Sequence, residues 1–444
     1  MIDKPGISTS DLMRTIVDKS ISAVKPQSLF GEQFAFDGHV LHAFSEKVEL
    51  REDGQVKCVA IGKAAEAMAH QIALKLGTRV SGIIATPVSS HLDVPGFRFF
   101  KTGHPYPDEQ SLMAGKAVFD FVRSSGNRDV IIFLISGGGS ASVFVPTEGV
   151  TLADANRAFE VLIKNAISIK DINLLRRHLS ALGGGKLAEL VPKCGKLSLV
   201  ISDVVGNNPS AVASGPSVED NSTPQDALSF LRSSKLIDSV PASVPKALER
   251  MSSDFKPVKL ENNSVRVIAS NSDALRAAKQ IGSENLFNTM ILNSSFEGSV
   301  AEASDFLISI ASEIELNSSI IAPPAIVLFG GETVVDVSGN GIGGRNQHLV
   351  LSAIKRMHEL MMEGKALKRT TVFSFGTDGR DGNSDAAGAF GSLETFSKID
   401  DVKNEAEKYL ATFDSNSFFK KYGGLIETGP TDTNVMDVFG MVVE

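Results

Sequence analysis

Three consecutive glycines flanked by serines, Ser136, Gly137, Gly138, Gly139 and Ser140, follow directly on an apolar run in the stretch FLISGGGSAS. Glycine lets backbone amides approach an anion with no Cβ in the way, and successive amides form a concave nest. The run therefore reads as a phosphate-binding loop, or else as a tight turn that needs positive φ. It is no Walker A loop, because no Gly-Lys-Ser/Thr follows. Lys63, in AIGKAAEAMA, stands where a strand turns into a helix. A cation in a first helical turn opposes the macrodipole at a cost of ~0.3–1 kcal/mol, and a bound phosphate or carboxylate reverses that sign. A solvated loop lysine is the plainer alternative.

Other polar groups also sit at strand ends. His104, in TGHPYPDEQS, is held between a glycine and two prolines, a stiff segment that fixes an imidazole as a substrate contact or else forms a structural turn with Asp108 as helix cap. Asp203, in VISDVVGNNPS, suits a carboxylate holding Mg²⁺ to a nucleotide, or a simple turn. Gly339, Gly341 and Gly344 fit G-x-G-x-x-G, but a dinucleotide site also wants an acidic residue about 20 positions on, at the end of the next strand. Glu359 and Glu363 fall within or just after a long helical pattern instead. What remains there is Arg345, a fork donor suited to phosphate or carboxylate. Asp378, Asp381 and Asp385 crowd one glycine-rich loop, with a spacing that fails the EF-hand pattern. Metal binding, base or substrate-contact roles are open to Asp378 and Asp381, as is loop capping.

Short apolar runs such as QVKCVAI, DVIIFLIS and LSLVISD alternate with longer helical patterns such as KAAEAMAHQIALKL. Strands apolar throughout, separated by helices, predict an α/β protein of mostly parallel sheets covered by helices. In such sheets ligands gather at the carboxyl ends of strands, where these motifs fall. A chain of 444 residues predicts two domains. The expected partition is a helical region at 1–30, a first domain at 31–255 and a second at 256–444, divided where prolines and charges interrupt the pattern. A net charge of −8 argues against a nucleic-acid partner. Cys58 and Cys194 lie in apolar runs, as buried thiols would. No apolar run reaches membrane-spanning length, so no membrane partner and a cytoplasmic location are expected.

A phosphate nest, a lysine, an arginine and several aspartates at strand ends suit phosphoryl transfer, which is mostly positioning and charge neutralisation. The residues by themselves suggest a kinase-like transferase acting on a small anion. AIGKAA, TGHPYPDE, ISGGGSA, ISDVVG, ASGPS, GGETVVDVSGNGIGGRNQ, GTDGRDGNSDAAGA and TGPTDTNVMD, in that order, make the chain resemble the glycerate 2-kinase family of the MOFRL type over nearly its full length. That resemblance implies a Rossmann-like first domain, a MOFRL-type second domain and an active site in the cleft between them. It also implies ATP and Mg²⁺, D-glycerate as substrate and 2-phosphoglycerate as product, with functional roles on Lys63 and Arg345. Two departures from the family pattern are Asn207 and Asn208, where acidic residues are expected, and Asp432, where glycine is usual. The alternatives are an NAD(P)-dependent glycerate or hydroxypyruvate oxidoreductase, and a non-catalytic nucleotide or sugar-acid binder. A homo-oligomer is compatible with all three.

Overall fold

The computed structural model describes residues 7–31, 33–165, 167–191, 193–337 and 339–444. The chain packs as two compact units. One is Pro26–Ala269; the other is Ser270–Glu444 together with the N-terminal stretch up to Lys25. The boundary expected at 255/256 falls inside the first unit, because the strand Asn263–Ala269 pairs in parallel with Gly195–Ile201 and completes that unit's sheet. The expected 1–30 region is divided as well. Its helix Thr9–Ala23, with Ser8 Oγ accepting from the Asp11 amide at 3.2 Å, packs on the helix Asn271–Glu284. Pro26–Phe30 belongs to the first unit, and the first six residues lie outside the described ones.

The first unit is built on a six-stranded sheet in the order Phe97–Lys101, Val80–Thr86, Val56–Ile61, Val130–Ile135, Gly195–Ile201, Asn263–Ala269. Every neighbouring pair is parallel. The central strand Val130–Ile135 is buried along its whole length, which is why its sequence is apolar on both faces. Numbered along the chain, the strands read 3-2-1-4-5-6, the doubly wound order. Chain order reverses between Val56–Ile61 and Val130–Ile135. Helices Leu152–Lys164, Ile169–Leu179, Pro224–Ser233 and Ser243–Ser253 share a separate core around Phe144, Phe159, Leu175 and Leu228.

The second unit's six-stranded sheet runs Asn288–Ser299, Ala325–Val334, Asp437–Val443, Thr370–Gly376, Gly388–Ser392, Leu425–Ile426. Only its first pair is parallel. The C-terminal strand inserts between Ala325–Val334 and Thr370–Gly376, antiparallel to both, so the parallel pattern of the first sheet does not extend here. Phe329 and Phe439 stack across that insertion, with centroids 5.5 Å apart. Cys58 and Cys194 are buried free thiols. Among the described residues no helix is long and apolar enough to cross a membrane.

Candidate active site

In a doubly wound sheet the ligand crevice opens where strand order reverses, beyond the carboxyl ends of the strands. Here two loops meet at that point, Gly62–Lys63 after Val56–Ile61 and Ser136–Ser140 after Val130–Ile135. They are stitched together. The Lys63 amide donates to the Gly137 carbonyl at 2.9 Å, and the Ser136 amide donates to the Ile61 carbonyl at 3.0 Å. The Ser136 hydroxyl accepts from the Ala64 amide at 3.0 Å and donates to Ile61. Ser136 is fully buried, so its side chain joins the loops, and a ligand would meet only the loop that follows it.

The three glycines have separate steric reasons. Gly138 sits at φ +82°, and a Cβ there would come within 3.3 Å of the His104 ring and 3.4 Å of the Lys63 side chain. A Cβ on Gly137 would fall 1.6 Å from Asp203 Oδ2, and one on Gly139 would strike Ala213 and Ile61. Lys63, His104 and Asp203, far apart in sequence, thus converge on one loop. Among the described residues, no backbone carbonyl outside the regular elements accepts from the amides of Gly138, Gly139 or Ser140. Burial, and then the charges of Lys63 and Arg176, push the His104 pKa below its ordinary value, which favours the neutral imidazole. The turn that carries His104 is fixed by Asp108, which caps the helix Glu109–Arg123 by accepting from the Ser111 amide at 2.8 Å.

Two features of this site escaped the sequence reading. One is Arg176, in the last turn of Ile169–Leu179, which lines a recess with Gly139, Ser140, Ser180, Gly183 and Ser214. The other is the glycine run Gly183–Gly185, whose residues 184 and 185 donate to the carbonyls of Ser214 (2.9 Å) and Gly215 (2.7 Å). Ala213 and Ser214 adopt φ of 51° and 60°, a left-handed conformation that costs most residues energy and recurs at functional sites. The Ser214 and Ser140 hydroxyls lie 2.7 Å apart. Glycine runs and ASGPS were the available signals for these loops; an arginine inside a regular helix gave none.

The remaining expected residues stand in the second unit. Arg345 is already engaged by protein carboxylates. Its Nε and Nη2 clasp Asp437, at 2.5 and 3.2 Å, and Nη1 pairs with Glu332. Those carboxylates raise its pKa further, against the opposing effect of burial. The fork expected to face a ligand is closed by the protein itself. Asp381 is buried and accepts from the backbone amides of Asn346 (3.0 Å) and Gln347 (2.8 Å) and from both side-chain amides. It caps the helix Arg345–Met362 from another loop, and its carboxylate oxygens are engaged by four protein N–H donors. Asp378 is half-buried and accepts from the Arg380 amide at 3.2 Å.

The G-x-G-x-x-G match resolves the same way. A Cβ on Gly339 or Gly341 would strike Thr412 or Asp414, and one on Gly344 would strike Asp381. These glycines serve close packing within the protein. A pyrophosphate would need the helix N-terminus that the Asp381 carboxylate occupies. Asp432, at φ +61°, adopts the left-handed region that glycine favours, and Asn207, where an acidic residue is expected, is left-handed too at +55°. Asp and Asn are among the residues that tolerate this region best.

The domain of unknown function DUF4147 matches residues 12–249, and the MOFRL family matches residues 325–437. A D-glycerate 2-kinase from Thermotoga maritima is 35% identical over 98% of this chain and 99% of its own length. The chain belongs to the glycerate 2-kinase family of the MOFRL type. The crystal structure of glycerate kinase from Thermotoga maritima superposes with a TM-score of 0.83 at 34% identity, covering 98% of this chain and 99% of that one. A relative from Agrobacterium vitis, 30% identical over 98% of this chain and 95% of its own, bears a hydroxypyruvate reductase name. As a member of the glycerate 2-kinase family this protein is a kinase.

Proposed function

We propose that this kinase transfers the γ-phosphoryl group of ATP to the 2-hydroxyl of D-glycerate, giving 2-phosphoglycerate and ADP. The observation that carries the reading is the convergence of Lys63, His104 and Asp203 on the Gly137–Gly139 loop at the switch point of the parallel sheet. The amides of Gly138, Gly139 and Ser140 receive phosphate oxygens, and Lys63 adds positive charge where the migrating group carries its negative charge. His104, whose lowered pKa favours the neutral imidazole, accepts a hydrogen bond from the acceptor hydroxyl. The hydroxyl oxygen forms the new bond to phosphorus as its proton passes to the His104 imidazole, while the bond from phosphorus to the β-bridging oxygen breaks and ADP leaves.

Mg²⁺ bound with a nucleotide needs only one or two protein carboxylates beside the phosphates. No trio of His, Cys, Asp or Glu forms a cage among the described residues, and the Asp203 carboxylate against Gly137 fits that lighter requirement. Asp203 would hold the ion, which supplies charge neutralisation on the phosphate oxygens. Arg345 acts within the second unit by balancing Asp437 and Glu332.

A phosphorus NMR time course with ATP, Mg²⁺ and D-glycerate tests the reading. A 2-phosphoglycerate resonance growing with ADP is the expected result. A 3-phosphoglycerate resonance would refute the position, and unchanged ATP with glycerate-dependent NAD(P)⁺ reduction would replace the kinase by the oxidoreductase.

A further inference from the structure

We propose that Arg176 binds the carboxylate of the acceptor acid, in the recess it shares with Ser140, Ser180 and Ser214; this inference rests on the phosphotransfer reading above and identifies the acceptor half of that site. Arg176 is half-buried, and among the described residues no carboxylate pairs with it. Its contacts are the Pro105 carbonyl at 3.2 Å, Asn173 Oδ1 at 3.5 Å and the Phe159 ring at 5.3 Å. A guanidinium has five N–H donors, so most of its fork is left for a ligand. Its neighbour Arg177 shows the contrasting arrangement, paired with Asp220 at 3.0 Å. Desolvation lowers the Arg176 pKa, as it does for a cation withdrawn from water without a counter-ion. A bound anion would offset that penalty.

The recess is continuous with the phosphate loop through Gly139 and Ser140, and Ile61, Val143, Leu182 and Pro216 close its other sides. With phosphates assigned to the glycine amides and Lys63, the anion left for Arg176 is the carboxylate of a small hydroxy acid. Arg matches that planar group with two parallel hydrogen bonds. The arginine is also well held. Phe159 supports its plane, and half-buried Lys186 donates to the carbonyls of Arg177 (2.9 Å) and Ser180, fixing the end of the helix that presents it.

The test uses the full chain with Arg176→Gln and Arg176→Lys. The Gln variant should raise KM for D-glycerate by roughly ten- to a hundredfold, the loss expected for hydrogen bonds to a charged group. The Lys variant should fall between it and the parent, KM for ATP should stay within about twofold, and added guanidinium should partly restore the Gln variant. Thermal melts and ATP binding report folding of both variants. Unchanged glycerate KM in a folded variant overturns the proposal, and so does a rise confined to ATP, which would make Arg176 a nucleotide-phosphate ligand. Calorimetric titration of D-glycerate reads the contact without turnover. If the parent binds glycerate, the Gln variant does not, and neither turns over ATP, Arg176 stands and the phosphotransfer reading falls. If the parent turns over and the variant binds glycerate normally, only Arg176 falls.

Discussion

The two glycine-rich loops of this protein, Ser136–Ser140 and Gly339–Gly344, look alike in sequence and serve opposite purposes. At the second, the Gly341 amide donates to the Thr412 carbonyl (3.2 Å), Ile342 to Asp414 Oδ1 (3.0 Å) and Gly343 to Asn383 Oδ1 (2.9 Å). Asp381 then takes the first amides of the helix. The loop amides of Gly341, Ile342 and Gly343 and the helix amides of Asn346 and Gln347 thus all have protein acceptors. At the first loop, no backbone carbonyl among the described residues outside the regular elements accepts from the amides of Gly138–Ser140, and charged side chains converge around them. The two arginines repeat the contrast, Arg345 clasped by two carboxylates and Arg176 by none among the described residues. A glycine-rich turn after a strand is thus ambiguous until its donors are counted.

The largest effect should come from removing the cation at the open loop. Lys63→Ala is expected to lower kcat by roughly a thousandfold or more, the scale on which charge is stabilised in phosphoryl transfer, with an unchanged melting temperature. Normal turnover in the folded variant would remove Lys63 from the mechanism and erase the distinction between the loops. Arg345→Ala should act first on stability. It leaves the buried Asp437 carboxylate and Glu332 without their cation, at a cost of about 3 kcal/mol, read by urea unfolding. A variant as stable as the parent would show that this ion-pair cluster contributes nothing to folding.

A matched pair of glycine substitutions sharpens the contrast further. Gly137→Ala pushes a methyl into Asp203, so it should lower kcat with a smaller change in stability. Gly341→Ala pushes one into Phe413 and Asp414, so it should cost about 1–3 kcal/mol of stability as overpacking does. The reverse pattern, measured as turnover and unfolding on both variants, would exchange the functional assignments of the two loops.

Much of the first unit was legible because its chemistry is local to strand ends. Apolar strands alternating with helices gave the parallel sheet, and the residues directly after them gave Lys63, His104, Asp203 and the glycine loop. The second sheet was less legible, since nothing in Asp437–Val443 announces that it inserts between two earlier strands. The partners of Arg345 were hidden for the same reason: Glu332 and Asp437 come from separate strands, and only the strand order brings both to one arginine. Arg176 was hidden differently. It occupies a helix whose pattern is ordinary, and its importance lies in having no carboxylate partner, a property that belongs to packing.

The smallest expected effect concerns how Asp381 fills the closed loop. Burial pushes its pKa up to about 6, while four N–H donors favour the ionised form. If burial wins, the folded state holds the proton more tightly than the unfolded one. The stability this contributes is then fully present below pH 4 and is lost as pH rises through about 6, with a slope of at most about 1.4 kcal/mol per pH unit. Urea unfolding of the parent and Asp381→Asn across pH 4–7 isolates that slope. The parent's advantage over the variant should shrink as pH rises. An advantage that instead grows with pH would mean the helix amides hold an ionised carboxylate, and Asp381 would then be a built-in counterpart of the phosphate proposed at the other loop.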